Sequence, residues 1–281
     1  MKNKLIKIIG LFSLSVLAVS CQNLDRPELD ADYPKDSNVP GGPLKFYVAF
    51  DGTTNNSLMN AVDSVKAKFP NDNPLASIDG AKGKGVQGAN YKYIKYSNAN
   101  DFAQNAGSFT VSVWTKKSVM KTDHIFSMPA VDGYHWSGGS MFILTEGTPD
   151  SPTVKYFVKD KTDEKWFEWL GNNSPLGIYD GNWHHMAFVY DGTSSKMTLY
   201  VDGKANGFVP EWNNHGKVVL EPGKITGLKI GAGPQEFSPS EIANGGDDWL
   251  KNSWTGGIDQ FRMYSTPLTA AEVQTLFTKK R

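Results

Sequence analysis

Between Gly181 and Lys204 the chain reads GNWHHMAFVYDGTSSKMTLYVDGK, with large apolar residues at every second position of two runs. The runs are His184 to Tyr190 and Lys196 to Val201; in the second, Met197, Leu199 and Val201 fall on one face. Successive side chains of a strand point to opposite sides, so a period of two suits a half-buried strand and not a helix, whose period is 3.6. Asp191-Gly192 and Asp202-Gly203 close the runs. Glycine tolerates positive φ and aspartate bonds the turn backbone, so both pairs are turn chemistry. Trp183, Met186, Phe188 and Tyr190 are bulky and suit a pleated surface. The stretch predicts consecutive antiparallel strands of a large sandwich.

The same pattern recurs along the chain. Leu44 to Phe50 alternates, and further strands are predicted at Phe109–Trp114, His124–Met128, Ser140–Thr145, Thr153–Lys159, Trp166–Leu170, Gly227–Ala232 and Trp254–Tyr264. Turn signals such as Asp132-Gly133, Gly138-Gly139 and Gly171-Asn172-Asn173 separate them, and 28 glycines and 15 prolines fit a chain of many turns. Asn55–Phe69 has helical spacing at Leu58, Val62 and Val65, which fits a short surface helix or an ordered loop. Gly80–Gly88 is glycine-rich but lacks the terminal Lys-Ser/Thr pair and strand–loop–helix setting of a phosphate loop, so it reads as a flexible turn leading into Tyr91–Tyr96. Thr269 and Glu272 form a capping box that opens a short C-terminal helix ending by Phe277. The fold class is all-β: a two-sheet antiparallel sandwich over residues 44–281. With 29 basic and 29 acidic residues the net charge is zero, which argues against a nucleic-acid or charged membrane surface as partner.

Residues 1–20 read as a lipoprotein signal peptide. Lys2, Lys4 and Lys7 precede the apolar run Ile8–Val19, which is shorter than the roughly 20 residues a membrane span needs. The run ends in Leu17-Ala18-Val19-Ser20-Cys21, similar to a bacterial lipobox, and Cys21 is the chain's single cysteine. Lipidation of Cys21 is therefore expected, with membrane contact through the N-terminal lipid alone. Residues 21–43 have little apolar content and read as a flexible tether. The expected place is the outer membrane, on its periplasmic or cell-surface side.

Four motifs in order carry a family resemblance: Phe50-Asp51-Gly52-Thr53; Ser108 to Trp114 (SFTVSVW); Trp183 to Gly192 (WHHMAFVYDG) with Leu199 to Lys204 (LYVDGK); and Gly256 to Tyr264 (GGIDQFRMY) with Pro267 to Val273 (PLTAAEV). They resemble laminin-G-like, concanavalin A-like jelly-roll domains. The resemblance implies a jelly-roll β-sandwich, a superfamily of lectins, glycan-binding modules, adhesion domains and hydrolases, and in many members a structural calcium ion. It specifies architecture more closely than activity.

Catalytic motifs are sparse. Retaining glycosidases need two carboxylates about 5 Å apart. The glucanase patterns E-x-D-x-x-E and E-x-D-x-E are missing, and Glu164 and Glu168 share a strand face but lack the intervening aspartate. Arginines number three, Arg26, Arg262 and Arg281, too few and too scattered for a sialidase cluster; no G-x-S-x-G is present. His184 and His185 are adjacent on a strand, so they face opposite sides and cannot share a metal. No catalytic residue is assigned. Asp51 and Asp259 sit near the ends of the first and last strands, and Asp259 shares its predicted face with Phe261 and Met263. A buried charge there needs a partner. Two solutions stay open: a calcium ion held by Asp51 and Asp259, or an inward histidine or set of backbone amides.

Sugars stack on exposed aromatic rings while polar groups bond their hydroxyls. Tyr134, Trp136, Trp212 and Trp249 lie in polar, glycine-rich loops, and Asp248 precedes Trp249. These five are the carbohydrate-binding candidates, whereas Trp114, Trp183 and Trp254 are expected to pack. The leading expectation is a lipid-anchored, extracytoplasmic glycan-binding or adhesion domain, an accessory to glycan capture. A divergent glycoside hydrolase and a protein-interaction module are the alternatives.

Overall fold

The computed structural model describes residues 42–51, 75–235 and 249–280. The segment read as a signal peptide, Cys21, most of the segment read as a tether, the Asn55–Phe69 stretch and Asp248 lie outside the described residues.

Among the described residues, fourteen strands form two antiparallel sheets. In chain order they are β1 Leu44–Val48, β2 Ala76–Asp79, β3 Lys84–Gln87, β4 Ile94–Tyr96, β5 Phe109–Lys116, β6 Asp123–Pro129 and β7 Gly139–Thr148. Next come β8 Ser151–Lys159, β9 Glu164–Trp169, β10 Trp183–Asp191, β11 Lys196–Val201, β12 Lys204–Ala205, β13 Leu228–Ile230 and β14 Gly257–Tyr264. One sheet runs β12-β11-β10-β5-β14-β3-β2, with β1 added to β14; the other runs β4-β13-β6-β7-β8-β9. A short helix α1 (Phe102–Asn105) and a longer helix α2 (Ala270–Lys279) join them, with 3-10 turns at Gly171–Asn173, Pro222–Lys224 and Trp249–Lys251. The two-sheet antiparallel sandwich and its C-terminal helix agree with the sequence reading. The glycine-rich stretch does more than turn: it builds the hairpin β2–β3.

Alternation sorts each strand between two environments. From β10 the residues Met186, Phe188 and Tyr190 point between the sheets, as do Val111 and Val113 of β5 and Phe261 and Met263 of β14. They meet Phe126, Ile143, Tyr156, Phe167 and Trp169 of the opposite sheet. Ring contacts stitch the layers together: Tyr156 to Phe188 at 5.3 Å, Trp169 to Phe188 at 5.8 Å and Phe126 to Phe261 at 5.3 Å. Each fully buried side chain of this size contributes about 1.5–3 kcal/mol of transfer free energy, so this layer dominates stability.

The outer face of the larger sheet is also covered. Thr269 accepts from the Glu272 amide and Glu272 returns the bond to the Thr269 amide, so the capping box forms as read. Val273 and Leu268 pack on Ala187 and Val189, and Phe277 stacks on Trp114 at 5.7 Å. The helix runs to Lys279, past Phe277, because Lys280 adopts a left-handed conformation (φ 48°) and caps the last turn on the Leu276 carbonyl. Beneath it His185 is fully buried, 2.8 Å from the Ser112 hydroxyl, and burial with the nearby Arg262 charge pushes its pKa down to about 3.

His184, one residue earlier, points the other way, as adjacency demands. It sits between Asp180 (2.9 Å) and Asp202 (2.8 Å) at the strand end. Burial alone would lower its pKa, but the two carboxylates outweigh burial and raise it above 6.5, while the hydrogen bond from His184 helps hold Asp180 below 3.8. The imidazolium is thus bound more tightly in the folded chain. That stabilisation is present below pH 6.5, is lost as pH rises through the folded value, and fades again as Asp180 protonates below about pH 4. In urea titrations, the stability gap between His184→Ala and the wild type should be largest between about pH 4 and 6.5 and close by pH 9.

Candidate carbohydrate-binding face

With the inter-sheet layer filled and the larger sheet roofed by α2, the outer face of the six-stranded sheet is the surface left to consider. Strand register writes two rows across it. Phe142, Phe157 and Trp166 are cross-strand neighbours on β7, β8 and β9, and Leu144, Lys155 and Glu168 form the next row. Phe142 and Phe157 are fully buried and stack at 4.7 Å, with Trp166 against Phe157 at 4.8 Å. Aromatic and β-branched cross-strand pairs of this kind stiffen a sheet.

Two loop tryptophans close over this floor. Trp249 opens a short turn of helix whose Leu250 is buried, and the Asn252 side chain ties that turn to the Thr122 carbonyl at 2.7 Å. Its ring lies parallel to fully buried His124 at 5.9 Å; burial pushes that histidine down to about 3, so it is a neutral packing surface. Trp136, from the β6–β7 loop, is 57% exposed and meets Trp249 at 6.3 Å. It is backed by His135, which packs on Phe157 at 5.3 Å and is hydrogen-bonded to Glu164. Trp166 and Trp249 are 6.1 Å apart. The rings bound a cleft of about 680 Å³ lined by Trp166, Trp249, Leu144 and Asn252, and Trp136 and His135 border a second cleft of about 700 Å³.

Charge in the first cleft is gathered around one lysine. Lys155 Nζ lies 2.6 Å from Glu146 and 3.2 Å from Glu168. Burial would lower the ammonium's pKa, yet the two carboxylates outweigh it and raise it. The result is a fixed polar cluster beside a tryptophan face, with oxygen acceptors and an N–H donor set able to bond neighbouring hydroxyls.

The sequence candidates separate. Trp136 and Trp249 come together on this face. Tyr134 lies on the same loop as Trp136 but is half-buried, its hydroxyl donating to Glu221 at 2.9 Å. Trp212 is a correction: expected on an exposed loop, it is 4% exposed. Backbone bonds from Trp212 to Ser195 and from Met197 to Pro210 tie the loop down. The ring then reaches Phe167 and Tyr190 in the core and stacks on His215 at 3.6 Å. Trp114 and Trp254 are buried, as read, and Trp183 is half-buried. Trp166, Lys155 and Glu146 were not singled out as ligand groups; period-two counting along β7, β8 and β9 places them on one face, but only strand pairing brings them together. Glu164 and Glu168 do share a face, each engaged by a cation or histidine.

Asp51 and Asp259 meet at one turn, because β1 pairs with β14. Asp259 does not share a face with Phe261 and Met263. A bulge between Asp259 and Arg262, with Gln260 at φ 47°, shifts the count, so Asp259 pairs with Trp114 on the outer face. The β2–β3 turn supplies amides to both carboxylates: Ala81 and Lys82 donate to Asp259 Oδ2 at 2.8 and 3.3 Å, and Lys84 donates to Asp51 Oδ1 at 2.6 Å. Gly83 must stay small there, since a Cβ would lie 2.0 Å from Asp51 Oδ1 and its φ is +64°. Asp259 Oδ1 has no partner among the described residues. Burial, reinforced by the Asp51 charge, raises Asp259 to about 7, and burial also raises Asp51.

Residues 88–217 match the family model of the concanavalin A-like lectin/glucanases superfamily, which bears out the resemblance over the strands from β4 to β12. No curated protein matches the chain. Among solved structures, domain 4 of AbnA, a GH43 extracellular arabinanase from Geobacillus stearothermophilus solved with arabinotriose, is 18% identical with a TM-score of 0.55, over 84% of this chain and 98% of that one. The binding domain of Paraclostridial Mosquitocidal Protein 1 is 15% identical with a TM-score of 0.55 over 85% of this chain, which spans about half (52%) of its length. The CBM40 of a Ruminococcus gnavus IT-sialidase is 9% identical with a TM-score of 0.50, over 69% of this chain and 96% of that one. The fold is a lectin-like β-sandwich.

Proposed function

We propose that the chain is a non-catalytic glycan-binding domain that uses the outer face of the six-stranded sheet. The observation that carries this reading is the juxtaposition of Trp136, Trp166 and Trp249 with the Glu146–Lys155–Glu168 cluster on one open face. Sugar rings present C–H groups to aromatic faces and hydroxyls to charged groups, and this face offers both. The arabinanase domain solved with arabinotriose shares the fold, which is support by analogy only. A hydrolase reading meets an obstacle. Among the described residues, Glu146 and Glu168 are the carboxylates of the cleft, and the Lys155 ammonium fills the space between them where a scissile bond would have to lie.

Two further parts of the proposal concern what holds the domain together and in place. Asp51 and Asp259 would hold one structural calcium ion: they are two hard oxygen donors at one turn, both disfavoured as bare anions, with Asp259 Oδ1 unclaimed. An acyl chain on Cys21 would anchor the domain at the outer membrane, a reading supported by the lysines, apolar run and lipobox-like segment before it.

On a glycan array, wild-type chain should retain oligosaccharides without releasing reducing ends. Trp136→Ala, Trp166→Ala and Trp249→Ala should each weaken retention by about tenfold or more. Retention unchanged in all three would point to another surface, reducing-end release would establish a hydrolase, and silence on every glycan would favour a protein partner. In melting experiments, calcium should raise the midpoint of the wild type by a few degrees, chelator should reverse it, and Asp259→Asn should abolish the response. In cells, Cys21→Ser should move the protein from the membrane fraction to the soluble one, and mass spectrometry of the wild-type N-terminus should find lipid on Cys21.

A further inference from the structure

The charges of the cleft go beyond glycan binding to a class of glycan. The inference rests on the reading of this face as a glycan site. Among the described residues Lys155 is the cleft's ammonium, and two of its three N–H donors are committed, to Glu146 at 2.6 Å and Glu168 at 3.2 Å. Glu146, Lys155 and Glu168 are 33%, 22% and 40% exposed along their side chains, so all three present part of their surface to a ligand. Their sum is one negative charge. Glu164 stands two residues from Trp166 on the same strand face and adds another carboxylate, engaged by His135. Lys251 lines the neighbouring cleft beside Trp136, not this one.

An incoming carboxylate or sulfate would therefore meet a lysine already shared by two anions. It would have to displace a glutamate, leaving that group facing a like charge in a partly desolvated site. Like charges a few ångströms apart cost more than a hydroxyl-to-carboxylate hydrogen bond returns. A sugar hydroxyl has no such conflict. It can donate to a glutamate oxygen, accept from the remaining lysine N–H, and lay its ring on Trp166 or Trp249.

We infer that the Glu146–Lys155–Glu168 cluster selects uncharged glycans and rejects acidic ones, those bearing uronate, sialate or sulfate. Discrimination lies in the second glutamate, since one carboxylate would merely neutralise the lysine.

The test uses the full chain on an array that pairs uncharged oligosaccharides with the uronate, sialylated or sulfated forms of the same backbones, at low and high salt. Wild-type protein should retain the uncharged member of each pair at least about tenfold more tightly, and salt should narrow the gap by screening repulsion. Glu168→Gln, which keeps the shape and removes one charge, should narrow the gap several-fold, read as the ratio within each pair so that a loss of hydroxyl contacts common to both members cancels. Glu146→Gln should act the same way. Wild-type preference for the acidic member of a pair, or a gap unmoved by both substitutions, would overturn the inference and leave glycan binding standing. Retention of no glycan by wild-type protein would overturn the binding reading and the inference together.

Discussion

A strand has two faces, and every strand of this molecule must dispose of both. One face of each sheet is spent on the shared layer of Phe126, Tyr156, Phe188 and Phe261, where rings from opposite sheets interlock. The outer faces meet different fates. Over the larger sheet, α2 lies down on Ala187, Val189 and Trp114 and buries them. Over the smaller sheet there is a partial roof, two loop tryptophans and a short turn. Everything distinctive about the molecule follows from that asymmetry. The larger sheet is covered and structural, while over the smaller one Trp136 and the cleft between Trp166 and Trp249 stay within reach of solvent.

The partial roof is itself made by packing. Trp249 is held by a neutral, buried His124 lying flat beneath it, and Trp136 is held by His135, which leans on Phe157. Two histidines thus serve as apolar plates with a polar edge. Neutrality matters at His124: a charged imidazolium there would be sealed from water without a counter-ion, and burial disfavours it.

Much of the sandwich was legible because alternation and Asp-Gly turns are local signals. Strands β5 to β11, β13 and β14 and the capping box at Thr269 could be read from a few residues each. The site was legible only in part. Trp136 and Trp249 declared themselves as tryptophans in polar loops, but so did Trp212, and the sequence could not show that backbone bonds to Ser195 would pull its loop onto the core. Trp166, Lys155 and Glu146 belong to three strands whose register is set by long-range pairing. No local pattern announces that a lysine on one strand will sit between glutamates on its two neighbours.

The bulge at Gln260 has a reach beyond its own backbone. Strand β14 runs at the middle of the larger sheet and supplies side chains to two unrelated environments: Asp259 to the turn below, Phe261 and Met263 to the interior. One supernumerary residue is what lets a single segment serve both. Excising it would act like a slipped reading frame, swinging the carboxylate in among the aromatic rings or the aromatic rings out beneath the helix. A changed side chain along β14 therefore disturbs one position, whereas a changed length disturbs the whole strand.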